Sequence, residues 1–444
     1  MGRRKMSHYK PYPAYRPSGV EWIGAVPDHW RVTQLKNIAT TVNGATPESG
    51  KQEYWDGDVA WYTPTDIDNE VALELGSPRR YISQAGFDSC AVKLSPPGSV
   101  ILSTRAPIGS VGITTIASTI NQGCRTLIPD QCVPTSFLAS ILIAARGEMR
   151  LRGNGTTFQE LSTDALRSLR VPMPPREESN SIACTIDRET NRIDSLISKK
   201  TRFVELLKEK RQALITHAVT KGLDPKVKMR DSGVEWIGEV PEHWSVSRLG
   251  HFASVENGTT PATGNELFWE NGTIPWLGSG EVNQQVVTQP TKTITELALQ
   301  QCSLRLLPVN TLIIGMVGQG KTRGLAAILK IAATINQNLA AICTGSKLKP
   351  DFLLFVFQAA YEWIREAGRG SNQAAMNCEI IAEFRFGIPD IQEQGDIVSM
   401  LSTMSERIDL LTRKTQHSID LLKERRSAFI TAAVTGQIDL REPA

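Results

Sequence analysis

Residues 313–324, IIGMVGQGKTRG, have the residue types and spacing that could bind a phosphate group. The segment that begins at Gly315 and ends at Thr322 matches the phosphate-loop pattern G-x-x-x-x-G-K-[ST]. In that pattern backbone N–H groups and a lysine hold nucleotide phosphates. Such a loop also needs a strand before it and, after it, a helix whose N-terminus faces the phosphate. One hypothesis is therefore a P-loop nucleotide-dependent protein.

Other catalytic patterns do not occur in the sequence. It contains no H-E-x-x-H, no G-x-S-x-G and no glutamate followed two residues later by lysine, as one nuclease pattern requires. The segment SPPG at 95–98 lacks the aromatic residue of an amino-methyltransferase signature. The seven cysteines contain no C-x-x-C pair, which argues against a zinc site. The sequence predicts no catalytic residue, no metal site and no enzyme activity.

Length and composition set further bounds. A chain of 444 residues exceeds what one hydrophobic core usually organises, so we expect two or more domains. With 41% hydrophobic and 21% charged residues, and no apolar run long enough to cross a bilayer, the composition is that of a water-soluble globular protein. Residues 1–17 are basic, but no apolar stretch follows them, so they predict a flexible arm and not a secretory signal. The expected location is the cytoplasm.

A repeat covers the whole chain. Residues 18–30, SGVEWIGAVPDHW, return at 232–244 as SGVEWIGEVPEHW, with eleven of thirteen letters identical. Three further pairs follow in the same order: NGATP at 43–47 with NGTTP at 257–261, TINQ at 119–122 with TINQ at 334–337, and the segments 193–224 with 408–439. The chain therefore consists of two copies of one unit, so the phosphate pattern in the second copy can be compared with the corresponding segment of the first copy.

That comparison weakens the phosphate-loop hypothesis. The repeat places Gly320, Lys321 and Thr322 on Gly109-Ser110-Val111, where neither the lysine nor the following hydroxyl is present. The sequence after the pattern aligns with a segment that is typical of a strand and a turn. We therefore expect a glycine-rich turn between strands that displays basic side chains.

Each repeat contains two segments of different composition. Residues 30–175 are rich in β-branched and aromatic residues broken by Gly, Pro and Asn, which predicts a mixed, strand-rich domain. Residues 177–220 lack Gly and Pro and carry apolar residues at heptad spacing, which predicts a long helix that pairs with its twin. The predicted seam comprises Ile186, Ile193, Leu196, Phe203, Leu207 and Leu214 in the first helix, and Ile408, Leu411, Leu422 and Phe429 in the second; Lys200 and Thr415 interrupt it.

The charge distribution indicates a polyanionic ligand. Although the net charge is only +3, residues 188–230 contain 12 basic and 5 acidic side chains, and residues 1–17 contain no acid. Lysine and arginine in such excess are the usual contacts to DNA phosphates. The alternative is an ordinary solvated helix face. Two copies of one domain joined by paired helices fit a duplex with two half-sites.

These repeated motifs, together with the segments LLKEKRQALITHAVTKGLD and LLKERRSAFITAAVTGQIDL, resemble the specificity subunits of type I restriction-modification systems. The resemblance implies an α+β fold in which two mixed, strand-rich target-recognition domains are separated by two long antiparallel helices, with an internal pseudo-twofold repeat. It also implies a subunit without activity of its own that reads a bipartite, interrupted sequence in double-stranded DNA and whose helices set the spacing. Its partners would be two methyltransferase subunits and the restriction/translocase subunits. This chain would bind no cofactor, whereas those partners use S-adenosylmethionine, ATP and Mg²⁺.

The predicted organisation divides the whole chain. It consists of a flexible basic arm at 1–17, target-recognition domain 1 at 18–176, a central conserved helix at 177–222, a linker at 223–231, target-recognition domain 2 at 232–391, a C-terminal conserved helix at 392–436 and a tail at 437–444.

Candidate DNA-binding residues are chosen from glycine-rich turns between predicted strands. They are Thr46, Arg79, Arg80 and Arg105 in the first domain and Thr260, Lys321 and Arg323 in the second. Arginine and lysine pair with guanine or hold a phosphate, and each threonine has the alternative of capping local backbone. Trp55, Trp61, Trp269 and Trp276 are expected in the core. His29 and His243 occur in equivalent P-x-H-W contexts, which favours a structural hydrogen bond.

Overall fold

The structure is a computed structural model that describes residues 9–67, 73–105, 107–153, 159–317, 322–367 and 376–441. The chain forms two compact units. Unit 1 comprises residues 1–202 and 416–444, and unit 2 comprises residues 203–415. Each unit therefore contains one strand-rich domain and one part of each long helix.

Unit 1 is built on a five-stranded sheet in the order β4-β11-β8-β9-β6 and a three-stranded sheet in the order β10-β5-β7, as far as the described ranges extend. Its central strand, Val-Ile-Leu-Ser, is buried at every position, as expected for a strand covered on both faces. The strands are β1 (Tyr15–Pro17), β2 (Ala25–Pro27), β3 (Arg31–Gln34), β4 (Ala39–Asn43), β5 (Trp55–Tyr62), β6 (Glu74–Leu75), β7 (Arg80–Ile82), β8 (Val100–Ser103), β9 (Val111–Thr114), β10 (Ser118–Ile120), β11 (Cys124–Pro129) and β12 (Arg170–Met173).

Unit 2 repeats this topology with sheets in the orders β16-β23-β20-β21-β18 and β19-β17-β22. Its strands are β13 (Met229–Asp231), β14 (Glu239–Pro241), β15 (Ser245–Arg248), β16 (Ala253–Asn257), β17 (Ile274–Leu277), β18 (Val286–Val287), β19 (Lys292–Ile294), β20 (Leu312–Gly315), β21 (Ala326–Leu329), β22 (Thr334–Ile335), β23 (Leu339–Thr344) and β24 (Arg385–Ile388). The predicted duplication of a mixed, strand-rich domain is confirmed.

Two helices are much longer than the others, as predicted. α5 has 46 residues and α10 has 44, and their ends lie within two residues of the predicted 177–222 and 392–436. The helices are α1 (Gln84–Asp88), α2 (Thr135–Ala144), α3 (Arg146–Leu151), α4 (Thr163–Arg167), α5 (Arg176–Lys221), α6 (Glu296–Gln301), α7 (Pro350–Ala359), α8 (Tyr361–Ala367), α9 (Cys378–Ala382) and α10 (Ile391–Val434).

The parts of α5 and α10 in unit 1 run antiparallel. Arg426 Nε lies 2.9 Å from Asp194 Oδ1, and Ser181 Oγ donates to the carbonyl of Leu440, so the residue numbers run in opposite directions. In unit 2 the same holds, because Arg211 Nε lies 3.8 Å from Asp409 Oδ1 while Gly222, directly after the end of α5, approaches Glu393 near the start of α10.

The helix seam differs from the predicted heptad positions. Ile186, Ile193 and Leu207 are buried, but Leu196 is 41% exposed and Phe203 is 45% exposed, while Val204 is buried next to it. In α10, Leu411 is 39% exposed. The predicted inward positions of Leu196, Phe203 and Leu411 are therefore wrong. An α-helix drifts by about 20° per heptad relative to a 3.5-residue repeat, so a strict heptad leaves the contact face along a long helix.

The first and last described residues of the chain pack against the core of unit 1. Tyr12 is only 3% exposed, and residues 15–17 pair with residues 25–27. At the other end Ile438 and Leu440 are buried, and the Asp439 N–H donates to the carbonyl of Lys10. The prediction of a flexible arm is therefore wrong for the described residues 9–17, because their aromatic side chains supply apolar surface to the core of unit 1.

A carboxylate at the start of each long helix ties the repeated motif in place. In unit 1, Glu178 Oε1 accepts hydrogen bonds from Tyr12 Oη at 2.7 Å and Trp30 Nε1 at 3.0 Å. Its Oε2 lies 2.7 Å from His29 Nε2. Burial and the bond to Glu178 raise the pKa of Tyr12, so that the phenol stays a donor. We call this group the Glu178 clamp.

Unit 2 contains a smaller version, the Glu393 clamp. Glu393 Oε2 accepts from Trp244 Nε1 at 3.1 Å and lies 2.9 Å from His243 Nε2. The structural role predicted for both histidines agrees with these contacts. Each clamp tryptophan also packs on the end of the other long helix, because Gly436 lies against Trp30 and Gly222 lies against Trp244. Both glycines have φ above +70°, which other residues rarely adopt.

The clamps predict a matched pair of stability changes. Glu178→Ala leaves the buried Tyr12 and Trp30 donors unpaired and should lower the unfolding free energy of unit 1 by about 3 kcal/mol. Glu393→Ala should cost less, about 1–2 kcal/mol, because the Glu393 side chain is 25% exposed against 7% for Glu178. Urea unfolding followed by tryptophan fluorescence, with hydrogen exchange to assign each transition to a unit, measures both.

The control is Glu178→Gln, which keeps an Oε1 acceptor for Tyr12 and Trp30 and places an amide group where Oε2 faces His29 Nε2. It should lose less than about 1 kcal/mol. A Gln variant as unstable as the Ala variant, or a larger loss for Glu393→Ala than for Glu178→Ala, would contradict the proposed role of the buried acceptor.

Candidate nucleic-acid interface

The phosphate-loop pattern lies between two antiparallel strands. β20 ends at Gly315 and pairs with β21, which begins at Ala326, so the next element described after the pattern is a strand. Lys321 lies outside the described residues. A phosphate loop needs a helix at that position, and the expectation of a turn between strands is confirmed at both strand ends.

The structure corrects the alignment of this turn with its counterpart. Gly109 N–H donates to the carbonyl of Ser103 at 3.0 Å, and Gly324 N–H donates to the carbonyl of Gly315 at 2.9 Å. Gly324, and not Gly320, is therefore the counterpart of Gly109, and both have positive φ. The connection in unit 2 is three residues longer, which accounts for a lysine pattern without a counterpart in unit 1.

Thr46, a predicted DNA-binding residue, is paired with the last residue of the repeated TINQ segment. Its Oγ1 donates a hydrogen bond to Oε1 of Gln122, and Gln122 is exposed. The bond occupies the oxygen of the amide and leaves its nitrogen, with two N–H donors, at the surface. The pair thus presents hydrogen-bond donors to solvent from a fixed position.

Two hydrogen bonds and one close backbone approach hold this Thr–Gln pair. The indole N–H of Trp61 donates to the carbonyl of Ala45 at 3.0 Å, and Thr119 Oγ1 donates to the carbonyl of Ala60 at 2.9 Å. At Gly44 a Cβ atom would lie 2.0 Å from the carbonyl oxygen of Asn121, so only glycine allows the loop to approach the TINQ segment.

Unit 2 contains the same arrangement. Thr260 Oγ1 donates to Oε1 of the exposed Gln337, and Trp276 Nε1 donates to the carbonyl of Thr259 at 3.0 Å. At Gly258 a Cβ atom would lie 1.8 Å from the carbonyl oxygen of Ile335. Thr46 and Thr260 therefore do more than cap local backbone, because each orients a glutamine more than seventy residues away.

A cation lies on a tryptophan pair beside each Thr–Gln pair. The Arg80 guanidinium carbon is 3.6 Å from the ring centroid of Trp55 and 5.8 Å from that of Trp61. In unit 2, Lys292 Nζ lies 5.7 Å from the ring centroid of Trp269. The two indole pairs meet edge to face with centroids 5.1 Å apart in both units. Cation–π attraction fixes each positive charge at the surface.

The register confirms that these cations correspond. Arg80 is the strand partner of Trp61, and Lys292 is the strand partner of Trp276. Arg80 was predicted from the sequence but Lys292 was not, because the flanking letters RRYIS and TKTIT share too little to align. Gln122 and Gln337 were not predicted either, although the identical last residue of the two TINQ segments was a usable signal.

Arg79 and Arg105 belong to unit 1 alone. The Arg79 side chain is 75% exposed, and the backbone N–H of Arg79 donates to Asp66 Oδ1 at 3.1 Å. The equivalent position before β19 is Thr291. Arg105 stands two residues beyond β8, where Val317 stands beyond β20. Arg105 Nη2 lies 3.1 Å from Glu160 Oε2.

A second arginine, Arg125, contacts the same glutamate. Arg125 Nη1 donates to the carbonyl of Gln122 at 2.9 Å, and its Nη2 lies 3.8 Å from Glu160. Burial lowers the pKa of Arg125, whereas Glu160 raises it. The Arg105 side chain remains 47% exposed, so the network leaves a charged group at the surface next to the Thr–Gln pair.

Arg323 does not lie on the surface. It is only 8% exposed, so the expectation that it displays a basic side chain is wrong. A basic residue in a turn was expected at the surface, but the neighbouring Gly324, with its positive φ, packs against α8, and Arg323 lies inside.

The predicted burial of the tryptophans holds for both in unit 1 and for one of the two in unit 2. Trp55, Trp61 and Trp276 are at most 7% exposed, as expected for core residues, and Trp269 is partly buried. Among the described residues no group of three or more His, Cys, Asp or Glu side chains could hold a metal ion. No helix in the described ranges is long and apolar enough to span a membrane.

Comparison with known proteins agrees with this duplicated architecture. The family model described as "Type I restriction modification DNA specificity domain" matches residues 27–205 and again 241–419. The class defined by fold and site is thus a protein with two DNA specificity domains. The chain belongs to the family of type I restriction-modification specificity subunits.

One relative matches nearly the whole length of the chain, and another matches about three fifths of it. The chain is 26% identical to the type I restriction enzyme MjaIX specificity subunit of Methanocaldococcus jannaschii over 423 residues, which is 95% of this chain and 96% of the relative. It is 24% identical to the EcoR124I/EcoR124II specificity subunit of Escherichia coli over 60% of this chain and 63% of the relative.

Solved structures show the same fold. One chain, from work on complex assembly and conformational transition of the type I R-M system, has a TM-score of 0.70 at 16% identity and covers 93% of this chain and 99% of its own. The HsdS subunit of Thermoanaerobacter tengcongensis has a TM-score of 0.53 at 16% identity, over 93% of this chain and 98% of its own.

Family membership confirms three sequence predictions. The protein is a non-catalytic specificity subunit that recognises a DNA target, it belongs to a family without a cofactor of its own, and its partners are DNA and the other components of a restriction-modification complex. The P-loop alternative receives no support from the family or the fold.

The strand after the phosphate pattern generates a prediction for Lys321. Lys321→Ala should leave the ATPase activity of the assembled complex unchanged at saturating DNA, because the turn lacks the helix that a nucleotide site requires. A matched Lys330→Ala variant controls for the loss of one charge. Equilibrium binding of labelled ATP to the isolated chain provides the second measurement. Micromolar binding that disappears on Lys321→Ala would contradict the prediction.

Proposed function

We propose that each unit reads one half of a bipartite, interrupted DNA site, and that the long helices set the spacing between the halves and dock methyltransferase subunits. The observation that carries this proposal is that both units contain the same topology and the same surface Thr–Gln pair, but different basic residues around it. Two copies of one framework with different exposed side chains suit two different half-sites.

The proposed DNA contacts are Thr46, Arg79, Arg80 and Arg105 in unit 1 and Thr260 in unit 2, with Lys321 retained from the sequence alone. Their supporting observations are exposure and fixed position. The Arg79 side chain is 75% exposed, Arg80 rests on Trp55, and Arg105 is partly exposed beside Glu160. Arginine side chains in this setting can contact guanine O6 and N7 or a phosphate.

Exposed apolar side chains on the long helices support the docking of partners. In unit 1, Leu196 and Leu421 are 41% and 45% exposed, and in unit 2 Phe203, Leu206 and Leu410 are each at least 44% exposed. Large apolar side chains grouped on a helix in this way mark protein contacts. The partners proposed for this surface are two methyltransferase subunits, joined by restriction/translocase subunits.

In this assembly S-adenosylmethionine, ATP and Mg²⁺ are bound by the partners, and the complex acts on cellular DNA in the cytoplasm. The family's lack of a cofactor of its own supports this assignment.

A domain exchange tests modular reading. Replacing residues 30–175 by the equivalent domain of a relative moves β3 and β12 together, so their pairing in one sheet is kept. The exchange should change one half of the methylated sequence and leave the other half unaltered, because unit 2 keeps its own sheets and clamp. Methylation mapping of host DNA measures the outcome, and a change in both halves would contradict independent reading.

A matched insertion tests the helices as the spacer. Four residues are added to α5 between Arg202 and Phe203, and four to α10 between Thr415 and Gln416, where the chain passes from one unit to the other. Four residues add about 6 Å of helix and close to one full turn. At about 3.4 Å for each base pair, the unread gap should grow by one or two base pairs with both half-sites unchanged.

The control is the insertion in α5 alone. It lengthens α5 but not α10 at the passage between the units, so the contacts that the two helices make within unit 1 and within unit 2 cannot all be kept, and it should destabilise the protein instead of lengthening the gap. A matched insertion that leaves the gap as it was, or alters the half-site letters, would show that the helices do not set the spacing.

A further inference from the structure

The two units share two exposed groups that are held in the same way. These are a glutamine oriented by a threonine, Gln122 and Gln337, and a cation on a tryptophan pair, Arg80 and Lys292. The framework below them is also the same, since Trp61 and Trp276 each hold the loop that carries the threonine while their strand partners are the two cations.

Groups that are common to both units cannot distinguish two different half-sites. Discrimination needs side chains that differ, such as Arg79 against Thr291 and Arg105 against Val317. What both half-sites share is the sugar-phosphate backbone, whose contacts position a protein on DNA without reading sequence. The chemistry of the common groups fits that role, because each unit offers amide N–H donors and one positive charge.

The details of Arg80 and Lys292 support a phosphate contact. Arg80 uses the flat face of its guanidinium on Trp55, which leaves the N–H donors in the plane of the group to point outward. Lysine lacks the planar fork with which arginine makes two parallel hydrogen bonds, and it binds phosphate as a point charge. A position that holds arginine in one unit and lysine in the other keeps the positive charge that a phosphate contact requires, while the hydrogen-bond geometry of the side chain changes.

We infer that Thr46, Gln122 and Arg80 in unit 1, and Thr260, Gln337 and Lys292 in unit 2, form two equivalent anchors for the DNA backbone that carry no sequence discrimination. This inference rests on the proposed function, since it assigns part of each DNA-reading surface. Base discrimination is left to the neighbouring side chains that differ between the units, with Arg79 and Arg105 on the side of unit 1.

The test uses the complete complex with its methyltransferase and a set of duplexes, one that contains the mapped site and one that lacks it. Affinity is measured by fluorescence anisotropy at several salt concentrations. Arg80→Ala should weaken binding to both duplexes by the same factor and reduce the slope of log K against log salt by about 0.9, the value for one phosphate contact. Arg80→Lys, which copies unit 2, should keep the slope of the wild type.

Substitution of the two glutamines provides a second, independent test. Gln122→Ala and Gln337→Ala should each weaken binding to both duplexes by the same factor, with the salt slope unchanged because the lost donor is neutral. The methylated sequence should not change. Arg105→Ala is the contrasting variant and should lower the preference for the mapped site in the half read by unit 1.

Each other outcome is decisive. A change of preferred base in one half-site on Gln122→Ala or Arg80→Ala would show a base contact and overturn the anchor. Lower thermal stability with unchanged DNA affinity would show a brace inside the protein and would also overturn it. If the wild-type complex had no preference for any sequence, the proposed function itself would fail, and this result is distinct from the other two.

Discussion

The rest of the structure depends on the hydrogen bonds of one carboxylate at the first turn of each long helix, which is buried in Glu178 and partly buried in Glu393. Glu178 and Glu393 each accept hydrogen bonds from the tryptophan of the repeated motif, and the same tryptophan packs on the end of the other helix. Each clamp therefore joins one domain to the beginning of one helix and the end of the other. Because a buried carboxylate without its donors is costly, the three segments must come together for the unit to fold.

The surfaces show a division between what is common and what differs. The Thr–Gln pairs and the tryptophan-bound cations are the same in both units, whereas Arg79 and Arg105 have no basic counterpart in unit 2. A duplicated framework is able to diverge in this way because the glycines and tryptophans that fix the loop lie beneath it. Side chains next to the anchor can then change with little effect on its geometry.

Much of the fold could be predicted because the strongest signals were local or repeated. The absence of Gly and Pro across α5 and the near identity of 18–30 with 232–244 indicated the helices and the duplication. The clamps could not be found this way, since Glu178 meets His29 across about 150 residues. The counterpart of Gly109 was misplaced because three extra residues in unit 2 shift the alignment. The burial of Arg323 depends on tertiary packing that its neighbours in sequence do not encode.

The most direct test of the account is to map methylated bases in DNA from a host that carries this chain with the other components of its restriction-modification complex. Two domains that read separately and are held by helices of fixed length predict two short specified sequences, with a gap of constant length and unrestricted bases between them. One continuous specified sequence, or two parts with a variable gap, would contradict the reading of DNA by two separate units.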